Sequence, residues 1–457
     1  MAKVKSKWIC QECGYETAGY LGKCPECGSW GSLVEEVQYT ASKPQQASVH
    51  DEFINKDKPE LLKDIHIGEE VRVSTNISEF DRILGGGLVQ GSLILIAGDP
   101  GIGKSTILLQ TSGELCKNDK KVLYVSAEES ASQLKLRAQR LSINSDKLYV
   151  YPQTSMENIK TQIEEVMPDI VVIDSIQAIY SQNIASSAGS VSQIRECTNL
   201  LMHIAKSKNI TVIVIGHVTK DGNIAGPKVL EHMVDAVIYF EGDKYKSYRM
   251  LRSMKNRFGN TSEVGIFEMR TDGLHEVKNP NELFLNERSQ VSAPGSAIIV
   301  TNEGTRPLLV EIQALVGTTP YPTPRRVTNG VDTSRVLQIL AVLEKRVGLN
   351  LSKQDVYVNV MGGIEVSEPS ADLGIALAVA TCARDVVVDP QTVIIGEIGL
   401  SGEIHPVNNI EKRLNEAITS GFKKAIIPYA NKIQDNRIEI VPVKRLMDAI
   451  SACISVK

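Results

Sequence analysis

One nine-residue stretch constrains this chain more than any other. Gly98, Asp99, Pro100, Gly101, Ile102, Gly103, Lys104, Ser105 and Thr106 fit the phosphate-binding pattern G-x-x-x-x-G-K-[ST] at every constrained position. The apolar run Leu93 to Ala97 before it predicts a strand, and a helix is expected to follow. Glycines let such a turn wrap a polyphosphate with backbone N–H groups, and the helix then directs its positive end at the anion. Lys104 is expected to reach the β and γ phosphates and Ser105 to hold Mg²⁺, so the stretch points to ATP hydrolysis.

Beyond this loop, short β-branched runs alternate with helical patterns, which predicts a parallel sheet with crossover helices. The expected strands are Leu93 to Ala97, Val122 to Ser126, Ile170 to Ile173 and Thr211 to Ile215. Ile194, Cys197, Leu200, Leu201 and Ile204 recur at helical spacing and are expected to bury one face. Ligands of such sheets sit at the carboxyl ends of the strands. There the sequence places the phosphate loop, Glu128 with Glu129, Asp174 and His217. Asp174 is expected to orient Mg²⁺ through its water shell. Glu128, with Glu129 as its substitute, is expected to polarise the attacking water, and His217 to sense the γ-phosphate. The segment Val218 to Leu230 carries Lys220, Gly222, Gly226, Pro227 and Lys228, a composition suited to gripping a phosphate backbone.

At 457 residues the chain exceeds one ordinary core, so two or three domains are expected. A net charge of -4 excludes a strongly basic protein that coats nucleic acid indiscriminately, leaving DNA or RNA contact to local patches. No apolar run approaches membrane-spanning length, and Met1 to Lys7 lacks the apolar stretch of a signal peptide. The expectation is a cytoplasmic protein with no membrane partner.

Four of the eight cysteines form two knuckles, Cys10-x-x-Cys13 and Cys24-x-x-Cys27, each followed by a glycine, Gly14 or Gly28. Four thiolates at this spacing suit tetrahedral Zn²⁺, with a redox pair or an iron–sulfur site as the alternatives. So small a module buries too little core to fold unaided, so the metal is expected to supply most of its folding energy. Trp8, Tyr15, Tyr20 and Trp30 are expected to pack over the knuckles or to stack on bases. The ribbon is read over residues 1–37 and a polar, aperiodic linker over 38–60.

Leu84 to Leu88, the phosphate loop, Ser126 to Glu129, Asp174-Ser175 and above all Lys255-Asn256-Arg257-Phe258-Gly259 together resemble the RadA/Sms DNA-repair proteins, bacterial relatives of RecA. The resemblance spans nearly the whole chain. It implies a RecA-like α/β ATPase domain over 61–278 and a ring hexamer acting on single-stranded and branched DNA. Promotion of branch migration during recombinational repair and a RecA-type recombinase as partner are also implied. On an extended segment Lys255 and Arg257 share a face, with Phe258 on the other, so two cations can approach one anion. With the resemblance, this predicts that Lys255 and Arg257 act in trans, at the ATP site of a neighbouring subunit.

Beyond about Asn279 the pattern changes to Ala297 to Thr301, Leu308 to Ala314 and Val356 to Val360 as strands, then helices. This half, 279–457, is similar to the α+β proteolytic domain of Lon proteases, through Gly362-Gly363, Glu368 to Asp372 and Gly396 to Gly402. Lon uses a Ser–Lys dyad. Ser370 stands at the nucleophile's place, but Glu411 stands at the lysine's, and Lys412 is rotated away by about 100° on a helix. Proteolysis is therefore not expected, and Ser370 is read as a helix N-cap. Arg325, Arg326, Arg335, Lys345 and Arg346 give Pro324 to Val347 a basic bias that the resemblance links to DNA contact. An ATP-dependent Lon-like protease and a regulatory ATPase resembling KaiC are the rival functions. The missing lysine argues against the first, and the single phosphate loop against the second.

Overall fold

A computed structural model describes residues 4–10, 14–39, 72–217, 229–242, 248–279, 281, 285 and 293–453. The chain divides into two compact units, Met1–Val277 and Lys278–Lys457. Cys13, the linker segment from residue 40 onward and the loop residues 218–228 lie outside the described residues.

The N-terminal module is a three-stranded antiparallel sheet in which β1 (Val4–Cys10) lies between β2 (Glu16–Thr17) and β3 (Leu33–Tyr39). Its last strand runs two residues into the stretch read as linker, because Gln38 and Tyr39 pair with Lys5 and Val4. Next come β4 (Arg72–Val73), α1 (Ser78–Leu84) and β5 (Leu88–Val89).

The rest of the first unit is built on one sheet of nine strands. Its parallel centre consists of β6 (Leu93–Gly98), β7 (Val122–Ser126), β8 (Leu148–Pro152), β9 (Ile170–Asp174), β10 (Thr211–His217) and β11 (Ala236–Glu241). The antiparallel strands β12 (Tyr248–Asn256), β13 (Val264–Arg270) and β14 (Gly273–Glu276) extend it, giving the order β14-β13-β12-β11-β6-β10-β9-β7-β8. All four predicted strands are present. The antiparallel flank was missed because its mixed polar and apolar residues carry no clear period.

The helices α2 (Lys104–Lys117), α3 (Ala131–Arg140), α4 (Met156–Val166) and α5 (Val191–Lys208) connect the parallel strands, and α6 (Val229–Met233) precedes β11. Alternation along β6 explains the layering. Ile94 and Ile96 enter one core with Phe80, Ile107 and Tyr124, whereas Leu93, Leu95 and Ala97 enter another with Ile159, Ile194 and Leu201. A strand apolar at every position is what a sheet covered on both faces demands. On α5, Ile194, Cys197, Leu201 and Ile204 are buried as their spacing predicts, and Leu200 packs partly buried beside them.

The second unit holds a mixed seven-stranded sheet. In order it is β17 (Arg326–Asn329), β18 (Gln354–Val360), β16 (Arg306–Thr318), β15 (Ser296–Glu303), β19 (Thr392–Ile394), β22 (Lys424–Pro428) and β23 (Glu439–Val443). A separate hairpin joins β20 (Glu397–Ile398) to β21 (Ile404–His405). The helix Asp372–Arg384 is buried along nearly its whole length. No helix among the described residues is long and apolar enough to cross a membrane.

Candidate functional site

Strand β6 ends at Gly98, and the chain turns through Asp99 to Gly103 before α2 starts at Lys104. Two glycines are obligatory here. A Cβ on Gly98 would sit 2.6 Å from the Phe240 carbonyl oxygen, and one on Gly103 would sit 2.8 Å from Met269 Cε, both at positive φ. The 14-residue α2 therefore aims its N-terminal end at the loop. Lys104 folds back over it, donating from Nζ to the carbonyl oxygens of Gly98 at 2.7 Å and Asp99 at 2.8 Å. Burial lowers the Lys104 pKa to about 8 against the opposing pull of Asp174, Asp99 and Glu128. Ser105 and Thr106 are half-buried in the first turn of α2.

The carboxyl ends of β7, β9 and β10 bring the other predicted groups to the same edge of the sheet. Asp174 is buried, and its Oδ2 accepts from Tyr124 Oη at 2.7 Å. Glu128 Oε1 accepts from Ser175 Oγ at 2.5 Å and lies 3.2 Å from His217 Nε2. Burial pushes the Glu128 carboxyl up. The hydrogen bonds from Ser175 and His217, with the Lys104 charge, outweigh it and hold the group below the ordinary glutamate range. Glu129 turns the other way and pairs with Arg137 on α3. Ser175 was missed, although its place directly after the strand-ending Asp174 marks it as a residue of the same edge.

A nucleotide and its cation fit these donors. The loop amides, the Lys104 ammonium, the Ser105 hydroxyl and the Asp174 carboxylate are an anion cradle beside hard oxygen ligands of the kind Mg²⁺ takes.

Lys255 and Arg257 are elsewhere. Lys255 pairs with Val237 and donates from Nζ to the carbonyl oxygen of Glu231 at 2.6 Å. Arg257 Nη1 lies 3.2 Å from Asp235 Oδ1. Asp235 is buried, and its Oδ2 also accepts from Leu93 N at 3.0 Å and from Lys206 Nζ at 2.7 Å. The pair therefore stands at the amino end of β6, whereas Lys104 stands past its carboxyl end. The five residue-to-residue steps from Leu93 to Gly98, about 17 Å of strand, separate the two edges. The two cations do come together: burial first, then the Arg257 charge, lowers the Lys255 pKa. Phe258 is half-buried, and its carbonyl oxygen accepts from Arg72 Nη2 at 2.6 Å.

In the ribbon, the Sγ atoms of Cys10, Cys24 and Cys27 lie within 4.8 Å of one another, and those of Cys10 and Cys27 are 3.6 Å apart. Gly14 N donates to the Cys10 carbonyl and Gly28 N to the Cys24 carbonyl, each at 2.9 Å, with both glycines at φ 76°. These three thiols suit part of a tetrahedral Zn²⁺ shell, the fourth predicted ligand, Cys13, lying outside the described residues. Trp8 and Tyr15 pack against the Cys10, Cys24 and Leu33 core. Trp30 does not: it is 78% exposed, with Lys23 Nζ 5.7 Å from its ring centroid. Tyr20 is also exposed and meets Trp8 edge-on.

The second unit corrects the reading of Ser370. Its side chain caps no helix. It is buried, and its Oγ accepts from Arg413 Nη1 at 3.1 Å. Arg413 is wholly buried and also donates to the carbonyl oxygens of Val300 and Asn408 and pairs with Glu368. Glu411 and Lys412 are both exposed on the same helix, Ile410–Thr419. The base beside Ser370 is thus a guanidinium, which stays protonated and cannot accept the serine proton. Arg413 shares the apolar stripe Ile410, Leu414 and Ala417, and that position was the available signal. Two of the five basic residues around Pro324 to Val347 are used internally. Arg335 pairs with buried Asp372, and Arg326 binds the carbonyl oxygens of Leu351 and Gln354. Arg325, Lys345 and Arg346 are exposed.

Three known families match segments of the chain. They are described as AAA domain over residues 62–223, rubredoxin metal binding domain over 8–35 and subunit ChlI of Mg-chelatase over 329–431. The chain is also similar over its whole length to named proteins. It is 52% identical over 453 residues to DNA repair protein RadA of Bacillus subtilis, covering 98% of this chain and 99% of that one. It is 50% identical to DNA repair protein RadA of Halalkalibacterium halodurans, covering 99% and 100%. It is likewise 50% identical to that of Streptococcus pyogenes serotype M1, covering 100% of both. With half its residues shared from end to end, and an ATPase domain behind a cysteine ribbon, this chain belongs to the RadA family of DNA-repair proteins.

Proposed function

We propose that this protein is a DNA-dependent ATPase that acts on single-stranded and branched DNA and drives branch migration of recombination intermediates. It would do so in the cytoplasm as a homohexamer beside a RecA-type recombinase. The observation that carries the reading is the meeting of four groups at one sheet edge: the phosphate loop with Lys104, Asp174, the Glu128–Ser175 pair and His217. The ATPase domain spans 61–278 and the Lon-like domain 279–457.

Residues Gly98 to Thr106 bind the phosphates, Lys104 neutralises charge on the β and γ groups, and Ser105 and Asp174 hold Mg²⁺. The cation supplies charge neutralisation on the phosphate oxygens when bound. Glu128, ionised through its bonds to Ser175 and His217, orients and polarises water. Glu129 is committed to Arg137, which leaves Glu128 as the carboxylate for this task. His217 senses the γ-phosphate through Glu128 and passes its loss to the loop that follows β10. Cys10, Cys13, Cys24 and Cys27 hold Zn²⁺.

Lys255 and Arg257 complete the ATP site of a neighbouring subunit. Their place at the far edge of their own sheet supports this, since about 17 Å of strand keeps them from their own phosphate loop. The Arg413 guanidinium beside Ser370 counts against the protease reading.

The test is ATP turnover of zinc-loaded protein with and without single-stranded DNA, beside Lys104→Ala and Lys255→Ala. Stimulation by DNA that disappears in Lys104→Ala is the expected result. Turnover indifferent to DNA but raised by unfolded polypeptide would overturn the reading.

A further inference from the structure

Strand β12 touches both edges of the sheet that matter. At its start Arg249 is buried, and it reaches across Gly242 to donate from Nε to the carbonyl oxygen of Ile102 at 3.3 Å, inside the phosphate loop. Its Nη1 donates to the Tyr248 carbonyl at 2.9 Å. Gly242 makes room for the arm: a Cβ there would lie 2.7 Å from Arg249 Cδ. At the other end, about 20 Å along the strand, Lys255 and Arg257 are held by the Glu231 carbonyl and Asp235. Between them the pairing with β11 shifts, since Val237 faces Lys255 while Ile238 faces Ser253. Met254 is the extra residue of this bulge and is 58% exposed. A bulge re-aims the side chains that follow it, here Lys255.

One bulged strand thus begins on a chain's own phosphate loop and ends on the cations assigned above to the next chain's nucleotide. We infer that Arg249 is a positioning residue that ties each phosphate loop to its own Lys255–Arg257 end, so that nucleotide in one subunit sets hydrolysis in its neighbour. A bound triphosphate fixes the loop, the Ile102 carbonyl holds Arg249, and β12 presents its cations across the interface. A phosphate loop whose Ile102 carbonyl turns away from Arg249 withdraws that support. This inference rests on the trans assignment of Lys255 and Arg257.

The test dilutes subunits carrying Lys104→Ala into otherwise unaltered full-length, zinc-loaded protein and follows ATP turnover against their fraction, in the native background and with Arg249→Lys in every chain. Arg249→Gln in place of Arg249→Lys gives a second curve should the lysine variant fold poorly. The expected result is a loss steeper than the dilution in the native background, and a loss merely proportional to it once Arg249 is replaced. Equal steepness in both backgrounds would overturn the link through Arg249, and a proportional loss in the native background would overturn communication altogether. The trans assignment is read separately by mixing Arg257→Ala with Lys104→Ala subunits. Recovered turnover there, beside an unchanged dilution curve, sinks the coupling and leaves the assignment standing.

Discussion

Arg413 Nη1 donates to Ser370 Oγ at 3.1 Å, with neither side chain reaching solvent. The serine at the place of a protease nucleophile is therefore a partner in a buried polar cluster. Because the cluster also holds Glu368, Arg413→Ala strands a carboxylate that Asn302 N and Thr301 Oγ1 satisfy only in part. The expected loss is about 3–5 kcal/mol of stability in denaturant unfolding, against about 1 kcal/mol for Ser370→Ala. Casein should remain uncleaved by the native chain and by both variants.

The same cluster predicts acid sensitivity. Burial raises the Glu368 pKa, but the Arg413 and Asn302 hydrogen bonds and the Arg413 charge outweigh it and hold the group below its ordinary range. The unfolded chain then binds the proton first as pH falls, so this contribution is complete above the ordinary glutamate pKa and disappears as pH drops through the folded value. Unfolding midpoints measured between neutral pH and the lower carboxylate range should show Glu368→Gln losing less on acidification than the native chain.

Lys104 carries a prediction at alkaline pH. Its pKa of about 8 lies below the ordinary lysine value, because burial disfavours the ammonium. Phosphate oxygens favour the charged form, so nucleotide binding takes up a proton between about pH 8 and the ordinary lysine pKa. Calorimetry at pH 9 in buffers of different ionisation enthalpy should register that uptake, and Lys104→Met should abolish it.

Glu128→Gln keeps the shape of the Ser175 and His217 contacts but removes the carboxylate. Turnover should fall by roughly 100-fold while nucleotide affinity stays within a few-fold, the split expected for a group acting on the attacking water. Equal losses in kcat and affinity would place Glu128 in nucleotide binding instead.

Removal of metal should unfold the ribbon and leave the rest of the chain standing. Among the described residues its buried apolar side chains are only Ile9, Cys10, Cys24 and Leu33, with Trp8 and Tyr15 packed against the last three. One zinc per chain by elemental analysis is expected, with loss of that metal in Cys24→Ser. The ATPase core should retain its thermal transition, since the two apolar layers about the nine-stranded sheet owe nothing to the thiols.

The sequence alone settled the elements whose physics is local. A phosphate-loop pattern is written in spaced glycines and a lysine, and a metal-knuckle pattern in paired cysteines. A parallel strand is written in an unbroken apolar run such as Leu93 to Ala97, because each needs particular residue types at fixed spacing. Tertiary structure decided whatever depends on which strand lies beside which. It divided the tandem glutamates, sending Glu128 to Ser175 and His217 and Glu129 to Arg137. It set Lys255 and Arg257 at the sheet edge opposite Lys104, and it brought Arg249 from the antiparallel flank to the phosphate loop. It also replaced an expected helix cap at Ser370 with a buried guanidinium from a helix some forty residues on. Burial of a charge is a property of the packed whole, and no local pattern records which partner will pay for it.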